Sequence, residues 1–161
     1  MMRLLAGMMA LMLVGCAPAA LTGGTPAIYV MRHLQKAEGQ DPALSETGQR
    51  CAVRLSELMA DRGIGAIYAS TTRRARETAA PLAARLGLAA SDYDPRDTPA
   101  LVARVRAETA SVLIVGHSNT VPDIVAGLGG ARPANLSDES YGDVWRVARD
   151  GAVSVERISG C

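Results

Sequence analysis

The stretch "AIYVMRHLQK", residues 27–36, decides the reading of this chain. Ala27 to Met31 form a short apolar run with the composition of a buried strand. The run ends abruptly in Arg32-His33, a fixed cation beside an imidazole. A second stretch has the same form: "SVLIVGHSNT", residues 111–120, is the strongest strand signal in the chain and ends in Gly116-His117. The protein has two histidines in all, and each directly follows an apolar strand.

Around these two strands, apolar runs alternate with helical patterns. Ser45 is placed to cap a helix to about Arg62, with Ala52, Leu55 and Met59 on one face and Gly63 at its end. "IGAIYAS", 64–70, is a further strand. A helix from Thr72 to Leu86 turns Ala75, Ala79, Leu82 and Leu86 inward; Gly87 follows it, and Pro81 is expected to kink or break it. Thr98-Pro99 reads as a cap and first-turn proline for a helix through about Ala107. Asn119 or Thr120 caps another through Leu128. "VWRVA" and "AVSVERI" read as a closing pair of strands around the turn at Asp150-Gly151. The order is βαβαβαβαββ or close to it. That predicts an α/β three-layer sandwich, a mainly parallel sheet with helices on both faces. Ligands in such sheets bind beyond the carboxyl ends of the strands, where both histidines fall.

The chain has 161 residues and a formal net charge of +1. A near-neutral balance gives no reason to expect nucleic-acid binding. With no Phe and one Trp, the core has to be built from Ala, Leu, Val and Ile. The amino terminus has its own pattern: Met1-Met2-Arg3, then the uncharged run "LLAGMMALMLV", then "GCAPAA". That is the layout of a secretory signal, and the run is short of the roughly 20 residues that span a bilayer. "LVGC", 13–16, resembles a bacterial lipobox. The expected organisation is a signal peptide over 1–15, a lipidated Cys16 with a flexible tether over 16–26, and one domain over 27–161. Such a chain would sit on a membrane at an extracytoplasmic or periplasmic face of a bacterial envelope. Ala17, where an aspartate would favour the inner membrane, hints at the outer one. Cys51 and Cys161 leave two readings open: a bond in an oxidising compartment, or a lone core thiol at 51. They lack metal-ligand spacing.

A third chemical element lies in "ASTTRRARETAAPLA", 69–83. Arginines at 73, 74 and 76 crowd a helix amino terminus, where the dipole repels cations. The crowding makes sense if an anion sits among them. Guanidinium forks match phosphate oxygens, and a neutral imidazole is a competent nucleophile. Phosphoryl transfer mostly needs positioning and positive charge around the equatorial oxygens.

These residues resemble the histidine phosphatase superfamily, the phosphoglycerate mutase-like fold, over essentially everything after the tether. "MRH" resembles its Arg-His signature. "DPALSETGQRCAVRL", 41–55, resembles its Asp-x-x-Leu-Ser/Thr-x-x-Gly stretch. "STTRRARETAAPLA" resembles its Ser…Arg-Ala-x-x-Thr-Ala helix, and "VLIVGHSNT" its strand-Gly-His-Ser motif. The resemblance implies that His33 is the nucleophile and becomes phosphohistidine. It implies that Arg32, Arg74 and His117 hold the phosphoryl oxygens, with no metal and no cofactor. The expected activity is hydrolysis of phosphomonoesters on a small phosphorylated molecule or a phosphoprotein side chain.

The chain departs from the family pattern in places. Leu34 replaces the glycine that usually follows Arg-His and is expected to narrow the pocket mouth. Lys36 could add a movable charge for substrate. "AASDYDPRDTP" has no glutamate to act as general acid, so Asp94 is the candidate, with Asp97 behind it; either aspartate could equally cap a helix or form a turn. Tyr141 is expected in the interior of the closing hairpin, with the rim as the alternative. The short segments leave little room for a lid, which favours an open pocket and argues against mutase activity. The missing glutamate motivates a rival from another class: a membrane-tethered phosphate-binding module with little or no turnover.

Overall fold

The computed structural model describes residues 25–161. The segment expected to be a signal peptide, and Cys16 expected to be lipidated, lie outside the described residues. Six strands form one sheet: β1 (Ala27–Arg32), β2 (Ile64–Ser70), β3 (Ala90–Tyr93), β4 (Ser111–Gly116), β5 (Asp143–Ala148) and β6 (Val153–Arg157). Their spatial order is β3-β2-β4-β1-β5-β6. The first four are mutually parallel; β5 runs antiparallel to β1, and β6 antiparallel to β5. The helices are α1 (Glu46–Met59), α2 (Arg73–Leu86), α3 (Thr98–Ala107) and α4 (Val121–Gly127).

Every residue of β1 and β4 is buried, because both strands are covered on both faces. Alternate side chains divide between two cores. Tyr29, Met31, Leu113 and Val115 pack with Leu55, Met59, Ala79 and Leu82 of α1 and α2. Ile28, Val30, Val112 and Ile114 pack with Leu101, Val105, Ile124 and Val125 of α3 and α4. This is the expected three-layer arrangement.

Several local expectations shift. The strand β3 lies in a segment that carried no strand signal: three of its four residues are exposed, and only Tyr93 is buried. Its pairing to β2 makes it a strand, where propensity does not. Pro81 does not break α2. The carbonyl it leaves unbonded is that of Glu77, a half-buried residue, so that carbonyl need not be sealed in the core. The cap of α3 is Asp97, whose carboxylate accepts from the Ala100 N–H at 3.0 Å, one residue before the expected Thr98. The helix α1 stops at Met59, with a turn continuing to Gly63, whose φ of +66° suits glycine.

Leu34 is fully buried in the core beneath α1 and α2 and does not line the cleft, so it cannot narrow a mouth. Its N–H donates to Thr78 Oγ1 at 3.0 Å, which draws the chain after His33 onto α2. The open question about the cysteines also resolves: Cys51 in α1 and Cys161 are bonded, with Cα atoms 5.9 Å apart. Ile158 belongs to the core on the α1 face, which brings the segment after β6 over α1.

Candidate active site

The parallel pairing of β1 with β4 sets Arg32 opposite Gly116, so His33 and His117 leave the sheet side by side. The His33 N–H donates to the Gly116 carbonyl at 2.9 Å. The two imidazole centroids are 5.3 Å apart, edge to face. Gly116 has no room for a side chain: a Cβ would approach Thr120 Oγ1 to 2.8 Å and the Tyr93 hydroxyl to 2.9 Å. Thr120 Oγ1 instead accepts from the His117 N–H at 2.9 Å and fixes the backbone after the strand.

His33 is 3% exposed. Its Nδ1 lies 2.8 Å from the Leu34 carbonyl, which can only accept, so Nδ1 carries the proton and Nε2 the free lone pair. Burial pulls its pKa down to about 3; the bond to Leu34 opposes this, and the charges of Arg74, His117 and Arg32 add to it. The ring is therefore neutral and nucleophilic at any physiological pH. His117 is pulled down to about 4, first by burial and then by Arg74 and Arg32. Its Nε2 is 2.7 Å from Ser70 Oγ at the end of β2, and Arg74 Nη2 reaches its Nδ1 at 3.5 Å. A guanidinium can only donate, so Nε2–H points to Ser70.

Arg32 is 5% exposed and held from one side. Its Nη1 donates to the carbonyls of Ser137 at 2.7 Å and Ser140 at 3.3 Å. Its Nη2 donates to the Tyr141 hydroxyl at 3.3 Å, and Cζ lies 4.2 Å from the Tyr141 ring centroid. Tyr141 thus belongs to the rim, by way of Arg32. Arg74 comes from the first turn of α2 and lies 3.6 Å from Asp41 through Nη1. Arg32 and Arg74 each keep a buried Nε–H with no acceptor. An orphaned donor on each of two neighbouring guanidiniums is what a tetrahedral oxyanion would satisfy.

The neighbouring arginines have ordinary partners. Arg73 pairs with Glu77 at 2.7 Å, and Arg76 with Asp92. Of the three arginines at this helix start, one reaches the site. The Asp-x-x-Leu-Ser stretch has a structural task here. Asp41 accepts from the Arg73 N–H at 3.0 Å, Glu77 accepts from the Leu44 N–H at 2.7 Å, and Ser45 caps α1 through the Gly48 N–H. A Cβ at Gly48 would collide with the Gln35 carbonyl, two residues beyond His33.

Arg32, His33, Arg74 and His117 line one cleft of about 420 Å³, with Lys36, Thr72, Pro95, Arg96, Ser118, Asn119, Thr120 and Asp138. Two hollows of about 520 Å³ elsewhere contain no imidazole, so chemistry and not size selects the smaller one. Lys36 is exposed at the margin. Asp94 does not line the cleft. It accepts from the Arg96 N–H at 2.9 Å and from the Arg96 guanidinium, which holds its carboxyl below the usual carboxylate range. Among the described residues, no three His, Cys, Asp or Glu side chains are grouped to hold a metal.

Residues 28–97 match the family model of the histidine phosphatase superfamily, branch 1. Among curated proteins, the uncharacterized protein Rv0525 of Mycobacterium tuberculosis is 50% identical over 52 residues, 32% of this chain; the match spans 25% of that relative's length. The fold is shared with the protein histidine phosphatase SixA, solved with tungstate: TM-score 0.61 and 19% identity, covering 81% of this chain and 94% of that one. It is shared equally with the mycobacterial glucosyl-3-phosphoglycerate phosphatase Rv2419c, solved with inorganic phosphate: TM-score 0.61 and 18% identity, covering 82% and 95%. The family match covers the first half of the domain, and the fold is shared with these phosphatases over nearly all of it.

Proposed function

We propose that the protein is a phosphatase that hydrolyses phosphomonoesters through a phosphohistidine at His33, without a metal. The observation that carries this reading is the convergence of two neutral imidazoles and two incompletely satisfied guanidiniums on one cleft. His33 Nε2 attacks phosphorus; the N–P bond forms as the ester P–O bond breaks. Arg32 and Arg74 hold the equatorial oxygens. The arriving dianion raises the proton affinity of His117, which then donates to a phosphoryl oxygen. Water attacks the phosphohistidine and releases inorganic phosphate. Two fold neighbours, solved with tungstate and with phosphate, hold oxyanions of the same shape. The exposed margin suits a small phosphate ester or a phosphorylated side chain on another protein.

The test is p-nitrophenyl phosphate hydrolysis in EDTA, wild type against His33→Ala. Wild type turns over, and the variant loses on the order of 10⁴-fold or more. An alkaline quench traps the phosphoryl group on His33. If neither protein turns over while inorganic phosphate still binds, the binding-module reading replaces this one.

The same reading puts the chain on a membrane through Cys16, facing an extracytoplasmic space. The Cys51–Cys161 bond supports an oxidising compartment. Cys16→Ser should abolish palmitate labelling and membrane fractionation of the expressed precursor; persistence of both would remove the anchor.

A further inference from the structure

Asp94 is engaged by Arg96 and lies off the cleft, which leaves the reaction without a group to protonate the leaving oxygen. Asp138 is the one carboxylic acid that lines the cleft among the described residues. It sits in the segment between α4 and β5. Because β5 runs antiparallel to β1, with Val144 opposite Met31, the residues preceding β5 arrive at the end of β1 where Arg32 and His33 emerge.

The carboxylate is carried on a built turn. The Ser140 N–H donates to the Ser137 carbonyl at 3.1 Å, and the two serine hydroxyls are 2.8 Å apart. Both ends of that turn accept from Arg32 Nη1. Asp138, within the turn, places Oδ1 3.9 Å from Arg32 Nη2. An exposed pair at that distance contributes little to stability. Its side chain is fully exposed, open to solvent and to a leaving group. Arg32 therefore lies against both the phosphoryl group it would hold and the Asp138 carboxylate.

Resting on the phosphatase reading above, we infer that Asp138 is the general acid and base of the reaction. As the P–O bond breaks, the Asp138 carboxyl gives its proton to the leaving oxygen, which departs as an alcohol. The resulting carboxylate takes a proton from water as that water attacks phosphorus and the N–P bond breaks. Phosphate leaves, His33 Nε2 regains its lone pair, and Asp138 is again protonated. The net reaction is ester plus water to alcohol plus phosphate.

The experiment compares kcat/KM, which reports the phosphorylation step, across phosphate esters of rising leaving-group basicity: dinitrophenyl, phenyl and alkyl. Asp138→Asn is expected to lose about 10²–10³-fold on the alkyl ester and less than about threefold on the dinitrophenyl ester. It should also accumulate phosphorylated His33, because water activation slows. Equal loss on all esters, or none on any, overturns the assignment, as does a selective loss in Asp94→Asn in place of Asp138→Asn. The reading beneath it fails separately: His33→Ala would then keep wild-type activity on every ester.

Discussion

The cleft has a floor and a wall, and they are made differently. The floor is Arg32, His33, Arg74 and His117; both histidines and Arg32 are buried, and they issue from the ends of adjacent strands or the first turn of α2. The wall is Lys36, Arg96 and Asp138, all exposed on irregular segments. A charge placed in the floor is desolvated, so each interaction there is strong and its loss costly. A charge in the wall is bathed in water and screened. On the phosphatase reading, the comparison teaches where binding energy and where selectivity would reside: the floor would grip phosphate, and the wall would meet whatever phosphate is attached to.

Arg74→Ala should have the largest effect. It removes a guanidinium from the floor, and kcat/KM on p-nitrophenyl phosphate is expected to fall by about 10²–10³-fold, or about 3–4 kcal/mol. Arg73→Ala, one residue away and paired with Glu77, should cost less than about threefold. Comparable losses at both positions would dissolve the distinction between an arginine in the floor and one on the helix surface.

The root of the wall is the next test. Gly142 packs against Cys161, where a Cβ would approach the Cys161 carbonyl carbon to 3.1 Å, and Gln35 donates to the Cys161 carbonyl at 3.0 Å. The Cys51–Cys161 bond closes a separation of 110 residues. Closing so long a loop stabilises by at most about 5 kcal/mol, and measured values run lower, so the double serine variant should lose about 3 kcal/mol in urea unfolding. Tyr141 stands next to Gly142 and against Arg32, so KM should rise more than kcat falls. An unchanged urea midpoint would show that the sheet alone holds the wall.

The floor was largely legible before the fold was known, and the reason is the sheet. A parallel α/β order puts the carboxyl ends of β1 and β4 on one rim, and the pairing of those two strands then makes the histidines neighbours. Selecting Arg74 over Arg73 and Arg76 needed the family resemblance, because helical spacing alone does not say which of the three meets the site and which meet Glu77 and Asp92. The wall was not legible. Asp138 and Tyr141 reach Arg32 only because β5 pairs antiparallel beside β1, a long-range choice with no local signal. Leu34 departs from expectation for a related reason: position along the chain puts it beside His33, while its side chain enters the core. Asp94 looked available because its Arg96 partner, two residues away, forms a local turn that composition does not reveal.

Burial of the floor also predicts an acid limb in stability. Unfolded imidazoles titrate near about 6.5. In the fold His33 is held to about 3 and His117 to about 4, chiefly by burial. Between those values the unfolded chain binds more protons, so stability is complete above about pH 6.5 and falls as pH drops toward 4 and then 3. Each ring can contribute at most about 1.4 kcal/mol per pH unit, and urea midpoints across this range measure the slope. His117→Gln should flatten it. A slope unchanged by that substitution would mean that other groups carry the acid sensitivity.

Lys36 should show the smallest effect and sharpen the comparison most. It stands at the base of the excursion closed by the Lys36–Leu44 bridge, exposed at the cleft margin. Its ammonium is hydrated before substrate arrives, so attraction to a phosphate dianion is screened and worth less than about 1 kcal/mol. Lys36→Ala should raise KM by about two- to fivefold at low salt, leave kcat alone, and become indistinguishable from wild type near molar salt, where the Debye length is about 3 Å. Arg74→Ala should keep most of its deficit there, because its charge acts in a desolvated site. If Lys36→Ala instead lost kcat, or kept its deficit in high salt, the lysine would have to close onto the phosphoryl group during turnover, and the boundary drawn between floor and wall would have to move to include it.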